Sequence, residues 1–594
     1  MNGLRFPRTA AAVGRTLMRR TAARGTKDMR VFRALSTYGY ADAGVEQPVA
    51  RSNLYKKSAV EVQLEEAITR QDDELAVSGV LLSLTQGVGT VSGLRDASLN
   101  STVHVMDEDG RVVGKGVVMH LQKKRAVVAM VGDAASLALG MEVELVENDL
   151  MIPVGAALLG RVVDPLGAAM DGQAALPSTA PRQACMRGSI PSMMDRGLLK
   201  EPFETGIQVI DCLHPLAYGQ RFALLGPRGS GKTRLGLDIL AQQVLKYKDT
   251  PELMPRFVYV VTGKAPARVT QIMQLLKDLN VLPHCTVVAA DDRQPLIMQY
   301  LAPFAGCTIA ESWLHAGVTK NAIVVYDDLS SHTMVVEQLI QAIKLPKAAR
   351  MSFSGHANLM ERSTQFSDKR GGTSLSSIVL ADTPGKEDVA SGLFHLSLVL
   401  GDVMCMCLVF QEALISIVDD HVLLDSSMTL RRVYPPVDCL APGTSVRGPP
   451  FQRAALWKCM QHIRATIIEG HTVQENVTLA RGFGFETEPE DQEILDSRAL
   501  VQEFFVQRPF ARLSEDTVLL GAFILANRFL ARLPHKVFVW DVITHVDAAM
   551  PAELKERIAG HPRNDAWSDE LMEQVYSFVA TEIQTSFGKP KPRY

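Results

Sequence analysis

The sequence predicts a multidomain chain: a small N-terminal β-barrel, a central parallel α/β domain and a C-terminal α-helical region. Three observations carry this. The 594 residues are too many for one core, since domains usually run to about 100–200 residues. Residues 76–153 hold short β-rich runs broken by glycine, whereas in 154–450 continuous apolar runs alternate with helical patterns. From 451 to 594 the periodicity is mostly helical.

The first 40 residues stand apart. Arg5, Arg8, Arg15, Arg19, Arg20, Arg24, Arg30, Arg33 and Lys27 face only one acid before residue 36, Asp28, and no long apolar run is present. This Arg-rich, acid-poor pattern predicts a mitochondrial targeting segment rather than a secretory signal, with a disordered basic tail as the alternative. Residues 41–75 form an extension in which Ala59 to Gln71 has helical spacing. Residues 76–153 then contain VSGVLLSL, GTVSGL, STVHVMDEDG, AVVAMVG and GMEVELVEN, strands of barrel length. In the central domain the apolar strands FALLG, FVYVVTG, CTVVAA and AIVVYDD are each separated by helical patterns, as a sheet covered on both faces requires. Leu393 to Phe410 reads as two buried strands about Gly401 and Asp402 rather than a membrane span, because His395 and Asp402 interrupt it. The segment Gly588 to Tyr594 reads as a disordered tail.

Bulk properties exclude several classes. A net charge of −3 supplies no chain-wide field for nucleic acid. None of the eight cysteines forms a C-x-x-C pair, so they read as reduced core thiols. The closest two, Cys405 and Cys407, sit in an apolar run and give only a weak metal signal.

Chemistry enters at Gly226, Pro227, Arg228, Gly229, Ser230, Gly231, Lys232 and Thr233, which fit G-x-x-x-x-G-K-[ST]. Glycines let backbone N–H groups curl round phosphates, and the helix that begins at Lys232 points its positive end at the same charge. Lys232 is placed to reach the β- and γ-phosphates, and the Thr233 hydroxyl to ligate Mg2+. The second metal ligand has to be an acid at the end of an apolar strand. Asp327, closing Ile323-Val-Val-Tyr-Asp327, meets that need, and Asp328 is expected to point the other way. Hydrolysis needs more, namely a group that orients or deprotonates water and cations for the transition state.

These segments resemble the alpha subunits of F-type ATP synthases. The resemblance runs from about Val77 to Gln584. It is carried by Leu159 to Gly167 with Met170 to Gly172, by Glu204 to Asp211, by Tyr300 to Cys307, and by Leu359 to Arg362 followed by Gly371 to Leu375. Tyr326-Asp-Asp-Leu-Ser330 is the most diagnostic string, and Ser514 to Leu533 is closer to alpha than to the catalytic beta type. The resemblance implies a barrel, a RecA-like P-loop nucleotide-binding domain and a helical bundle. It implies ATP or ADP with Mg2+ as cofactors and a proton-translocating rotary complex. In that complex three alpha and three beta subunits alternate round a central gamma stalk, with peripheral-stalk subunits outside, on the matrix face of the mitochondrial inner membrane. The chain would contact the membrane only through the complex, and no nucleic acid.

Beta subunits place a water-positioning glutamate just after the strand that follows the phosphate-loop helix. Here that position falls near Lys264, and no acid occurs between Phe257 and Leu276. The resemblance therefore implies a subunit that binds nucleotide without hydrolysing it. It also implies that Arg447 reaches a neighbouring catalytic site as an arginine finger, with Arg453 as the substitute. Departures from the family pattern are local. Gly229 and Ser230 replace the usual glutamine and threonine, and Asn476 and Val477 stand where two adenine-pocket glutamines are common. Val433 to Asp438 is beta-like, and it offers Tyr434 as a ring to stack on adenine or, alternatively, as a core tyrosine.

Three rivals remain. An autonomous ring ATPase, such as a secretion-type motor or a catalytic beta-type subunit, needs the missing glutamate. A nucleic-acid motor needs aromatic platforms, and residues 76–154 contain no Trp, Tyr or Phe. A scaffold with a decayed site conflicts with the intact Gly231, Lys232, Thr233 and Asp327.

Overall fold

The computed structural model describes residues 78–122, 125–132, 136–186, 190–343, 353–383, 410–441, 451–483, 487–530, 533 and 537–588. The targeting segment, the helix expected at 59–71, Cys405, Cys407, Arg447 and the tail beyond Gly588 lie outside them.

Six antiparallel strands close into a barrel in the order β1-β2-β5-β4-β3-β6: β1 Ser78–Thr85, β2 Val88–Gly93, β3 Thr102–Met106, β4 Val112–Leu121, β5 Arg125–Val131 and β6 Glu142–Glu147. Alternate residues point inward, so Val103 and Val105 of β3 join Leu81, Val91, Val118, Val128 and Met130 in one apolar core. Gly116 permits the closure, because a Cβ there would lie 2.4 Å from a Val128 methyl.

The chain then enters the central sheet through a short edge strand, β7 (Val162–Val163). An ion pair fastens this entry. Arg161 donates to Asp171 through Nε at 2.6 Å, and the Val162 and Gln173 amides donate to the same carboxylate. The Arg161 guanidinium pulls the Asp171 pKa down to about 2.

The remaining sheet strands are β8 (Arg221–Gly226), β9 (Arg256–Lys264), β10 (Cys285–Asp291), β11 (Asn321–Asp327), β12 (Ser374–Asp382) and β13 (Asp420–Leu423). They run parallel in the order β13-β8-β12-β11-β9-β10-β7, with only the two-residue strand Thr364–Gln365 antiparallel to β12. Every residue of β10 and β11 is buried, which explains their unbroken apolar runs. Between them α1 (Lys232–Lys246), α2 (Pro266–Asp278), α3 (Leu296–His315) and α4 (Leu329–Ile343) cover the faces. Helix α3 presses directly on β9, since a Cβ at Gly306 would meet a Val260 methyl at 2.3 Å.

The C-terminal region is helical: α5 (Ala454–Gly482), α6 (Pro489–Phe504), α7 (Glu515–Ala526), α8 (Val539–Ala549) and α9 (Asp569–Phe587), with a short helix at Ala552–Ala559. Ser514 caps α7 and Ser568 caps α9, each accepting a hydrogen bond from an amide of the first turn. The expected order of barrel, α/β domain and helical region is therefore the observed one. The two strands read at 393–410 lie outside the described residues except for Phe410, which is helical together with the residues through Ile417. Among the described residues no helix is long and apolar enough to cross a membrane.

Candidate functional site

The site forms where β8 ends. Gly229 (φ +79°) and Gly231 (φ +94°) adopt left-handed backbone that allows residues 226–231 to curl over the start of α1. Ser230 is fully buried within the loop. Thr429 Oγ1 donates to the Ser230 carbonyl at 3.1 Å and steadies the loop from behind.

The Lys232 side chain is buried and folds back across the cradle. Its Nζ donates to the carbonyls of Gly226 (2.7 Å) and Pro227 (2.8 Å) and pairs with Asp382 at 2.8 Å. Asp382 closes β12 and also accepts from Arg228 Nε at 3.2 Å. The cradle thus presents amides, a lysine and an arginine that a phosphate can recruit from an internal carboxylate.

Beside it, Thr233 and Asp327 meet although 94 residues separate them. Thr233 Oγ1 lies 3.1 and 3.3 Å from the two Asp327 carboxylate oxygens. Adjacent ligands of an octahedral Mg2+ are about 3 Å apart, so this hydroxyl and carboxylate fit two positions on one hard ion. Two further groups already hold Asp327. Tyr259 donates its hydroxyl at 2.8 Å, and Lys264 donates Nζ at 2.6 Å. The sequence reading of Asp328 needs correction. The strand ends at Asp327, so alternation does not extend to Asp328, whose Oδ2 lies 3.6 Å from the same Lys264. Burial raises the Asp328 pKa, and the Ser331 amide holds its carboxyl at 2.6 Å.

Beside the loop, residues far apart in sequence come together. Pro436 stands against Gly231. Tyr434 is largely buried, and its hydroxyl donates to Asp238 of α1 at 2.6 Å. Arg234 lies over the Tyr434 ring at 5.5 Å and over the Phe510 ring at 5.8 Å. Phe510 is not singled out by sequence reasoning. Its amide donates to Asp238, and its positive φ of 59° bends the segment between α6 and α7 onto α1. Asn476 lines a cavity of about 1000 Å³ with His471, Gln474 and Arg498, between α5, α6 and the segment after β13, whereas Val477 is buried.

Arg453 has a different role from that of a substitute finger. It is buried at the start of α5, pairs with Asp516 at 2.5 Å and donates to the Ile558 carbonyl. A guanidinium so engaged fixes α5 to α7 and cannot act as a free finger.

With this geometry in place, known proteins supply a context. Residues 206–395 match the family model "ATP synthase alpha/beta family, nucleotide-binding domain". This matched stretch is about a third of the chain. It begins at the approach to β8 and contains the phosphate loop, Lys264, Asp327 and Asp382. The chain is similar to ATP synthase subunit alpha of Mycoplasmoides gallisepticum, at 28% identity over 524 residues, which are 85% of this chain and 90% of that protein. Subunit alpha of Dehalococcoides mccartyi is 32% identical over 310 residues, covering 51% of this chain and 58% of its own length. The matched domain contains the loop, and the longer likeness extends over most of the chain.

Proposed function

We propose that the chain is the alpha-type, nucleotide-binding and non-catalytic subunit of a rotary, proton-translocating ATP synthase. It alternates with catalytic beta subunits round a gamma stalk, with peripheral-stalk subunits outside. ATP or ADP lies on residues 226–233, and the purine lies toward Tyr434. Mg2+ would be held by Thr233 and Asp327, where it would neutralise phosphate charge. The basic leader supports a mitochondrial location on the matrix face of the inner membrane, and Arg447 is the residue offered to the neighbouring catalytic site.

The observation that carries the non-catalytic reading is Lys264. It stands at the end of β9 beside the phosphate cradle, where a hydrolase needs an acid, and its amine is committed to Asp327. An ammonium in an ion pair cannot take a proton from water. Asp328 and Asp382 are themselves engaged by Lys264 and by Lys232.

Nucleotide titration of the full chain tests the binding half of this reading. Lys232→Ala removes the cradle's buried cation and is expected to weaken ATP affinity about 100-fold, the equivalent of one or two charge-assisted hydrogen bonds. Unchanged affinity in a folded variant would move the nucleotide elsewhere.

A further inference from the structure

The metal position of this site already contains a cation. Lys264 Nζ is 2.6 Å from Asp327 Oδ1 and 3.6 Å from Asp328 Oδ2, and its side chain is only 15% exposed. Asp327 is more deeply buried, at 2% exposure, and accepts from three donors at once: Lys264, Tyr259 and Thr233. A divalent ion joining Asp327 has to share its carboxylate with a fixed ammonium, and the two positive charges repel each other in a poorly solvated pocket. The converse matters for the nucleotide. With an uncharged side chain at position 264, Asp327 would keep only the Tyr259 and Thr233 hydroxyls, and its unbalanced charge would face an incoming phosphate with a bound metal as the natural offset. With Lys264 in place the offset is built into the fold.

We propose that Lys264 is a resident counter-ion for Asp327 that lets this site hold a nucleoside di- or triphosphate with little dependence on Mg2+. The inference rests on the nucleotide-binding reading above and deepens it. Lys264 is a positioning and charge-balancing residue. It takes no part in bond making.

The test is titration of the full chain with MANT-ATP and MANT-ADP in excess Mg2+ and again in excess EDTA. For the natural chain, chelation is expected to change affinity by no more than about threefold. In Lys264→Gln, which leaves Asp327 uncompensated, chelation is expected to cost about tenfold or more, the scale of one charge-assisted contact. Lys264→Arg, which keeps the charge, should stay close to the natural chain. A tenfold loss on chelation in the natural chain overturns the proposal, as does a Lys264→Gln variant with the same small dependence. If Lys264→Gln does not fold, the natural chain and Lys264→Arg decide it. Binding in Mg2+ that is lost in EDTA defeats this inference alone, whereas failure to bind in either buffer defeats the nucleotide-site reading and this inference with it.

Discussion

Arg362→Ala is expected to destabilise the nucleotide domain by about 3–5 kcal/mol, the usual cost of stranding one member of a buried ion pair. Arg362 and Glu311 have side chains only 3% and 7% exposed. The guanidinium grips the carboxylate twice, Nε to Oε1 at 2.7 Å and Nη2 to Oε2 at 2.6 Å. It donates also to the Thr308 hydroxyl at 2.8 Å and to the Cys185 carbonyl at 3.4 Å. One side chain therefore joins α3, the segment before β12 and the linker that leaves the barrel. Alanine would leave Glu311 charged and buried beside Cys307 and Tyr326. Replacing both partners by apolar residues of similar volume, Arg362→Met with Glu311→Leu, should recover most of the loss, because no buried charge then remains. Urea unfolding of the two variants measures this. A single-variant loss below about 1 kcal/mol would mean that water reaches the pair.

The second large effect is acid sensitivity from a buried histidine pair. His332 Nε2 meets the Tyr300 carbonyl at 2.9 Å and must donate to it, so its Nδ1 is an acceptor facing His356 Nε2 at 2.8 Å. His356 then donates through Nε2, and its Nδ1 is buried with no partner among the described residues. Tyr300, Phe304 and Phe410 enclose the two rings. Burial lowers both pKa values, that of His332 to about 4. The sign follows. Below about pH 6.5 the unfolded chain takes up protons that the folded chain refuses, so stability is full above that pH and falls as the pH drops toward 4. For His332 the loss is about 2 kcal/mol between pH 6.5 and 5, at about 1.4 kcal/mol per pH unit. Melting temperature against pH should fall over that window, and a His332→Phe, His356→Leu double variant should show a flatter profile. Parallel profiles would show that one of the rings is charged in the folded state.

Much of the site is legible in the amino-acid sequence. The phosphate loop declares itself because its chemistry demands local residues at fixed spacing, and Asp327 because a buried parallel strand leaves an unbroken apolar run before its terminal acid. Lys264 is visible as a lysine where an acid is needed, but its contact with Asp327 is not, because strand order rather than sequence distance sets it. The helical region and barrel are legible through periodicity alone. The cluster of Asp238, Tyr434 and Phe510 is not, since it joins three segments across 272 residues and no local pattern encodes such a meeting. The His332–His356 contact is hidden for the same reason. Arg453 misleads because an arginine after a Pro-rich stretch looks exposed, and only packing shows that Asp516 and two carbonyls hold it.

The most direct test of the central claim is steady-state ATP hydrolysis by the purified full chain, alone and assembled with catalytic beta-type subunits, each beside Arg447→Ala. The account predicts that the chain alone binds nucleotide and turns over negligibly, that activity appears on assembly, and that Arg447→Ala abolishes most of it. Sustained turnover by the chain alone would contradict the account, and would mean that this site contains a working catalytic base.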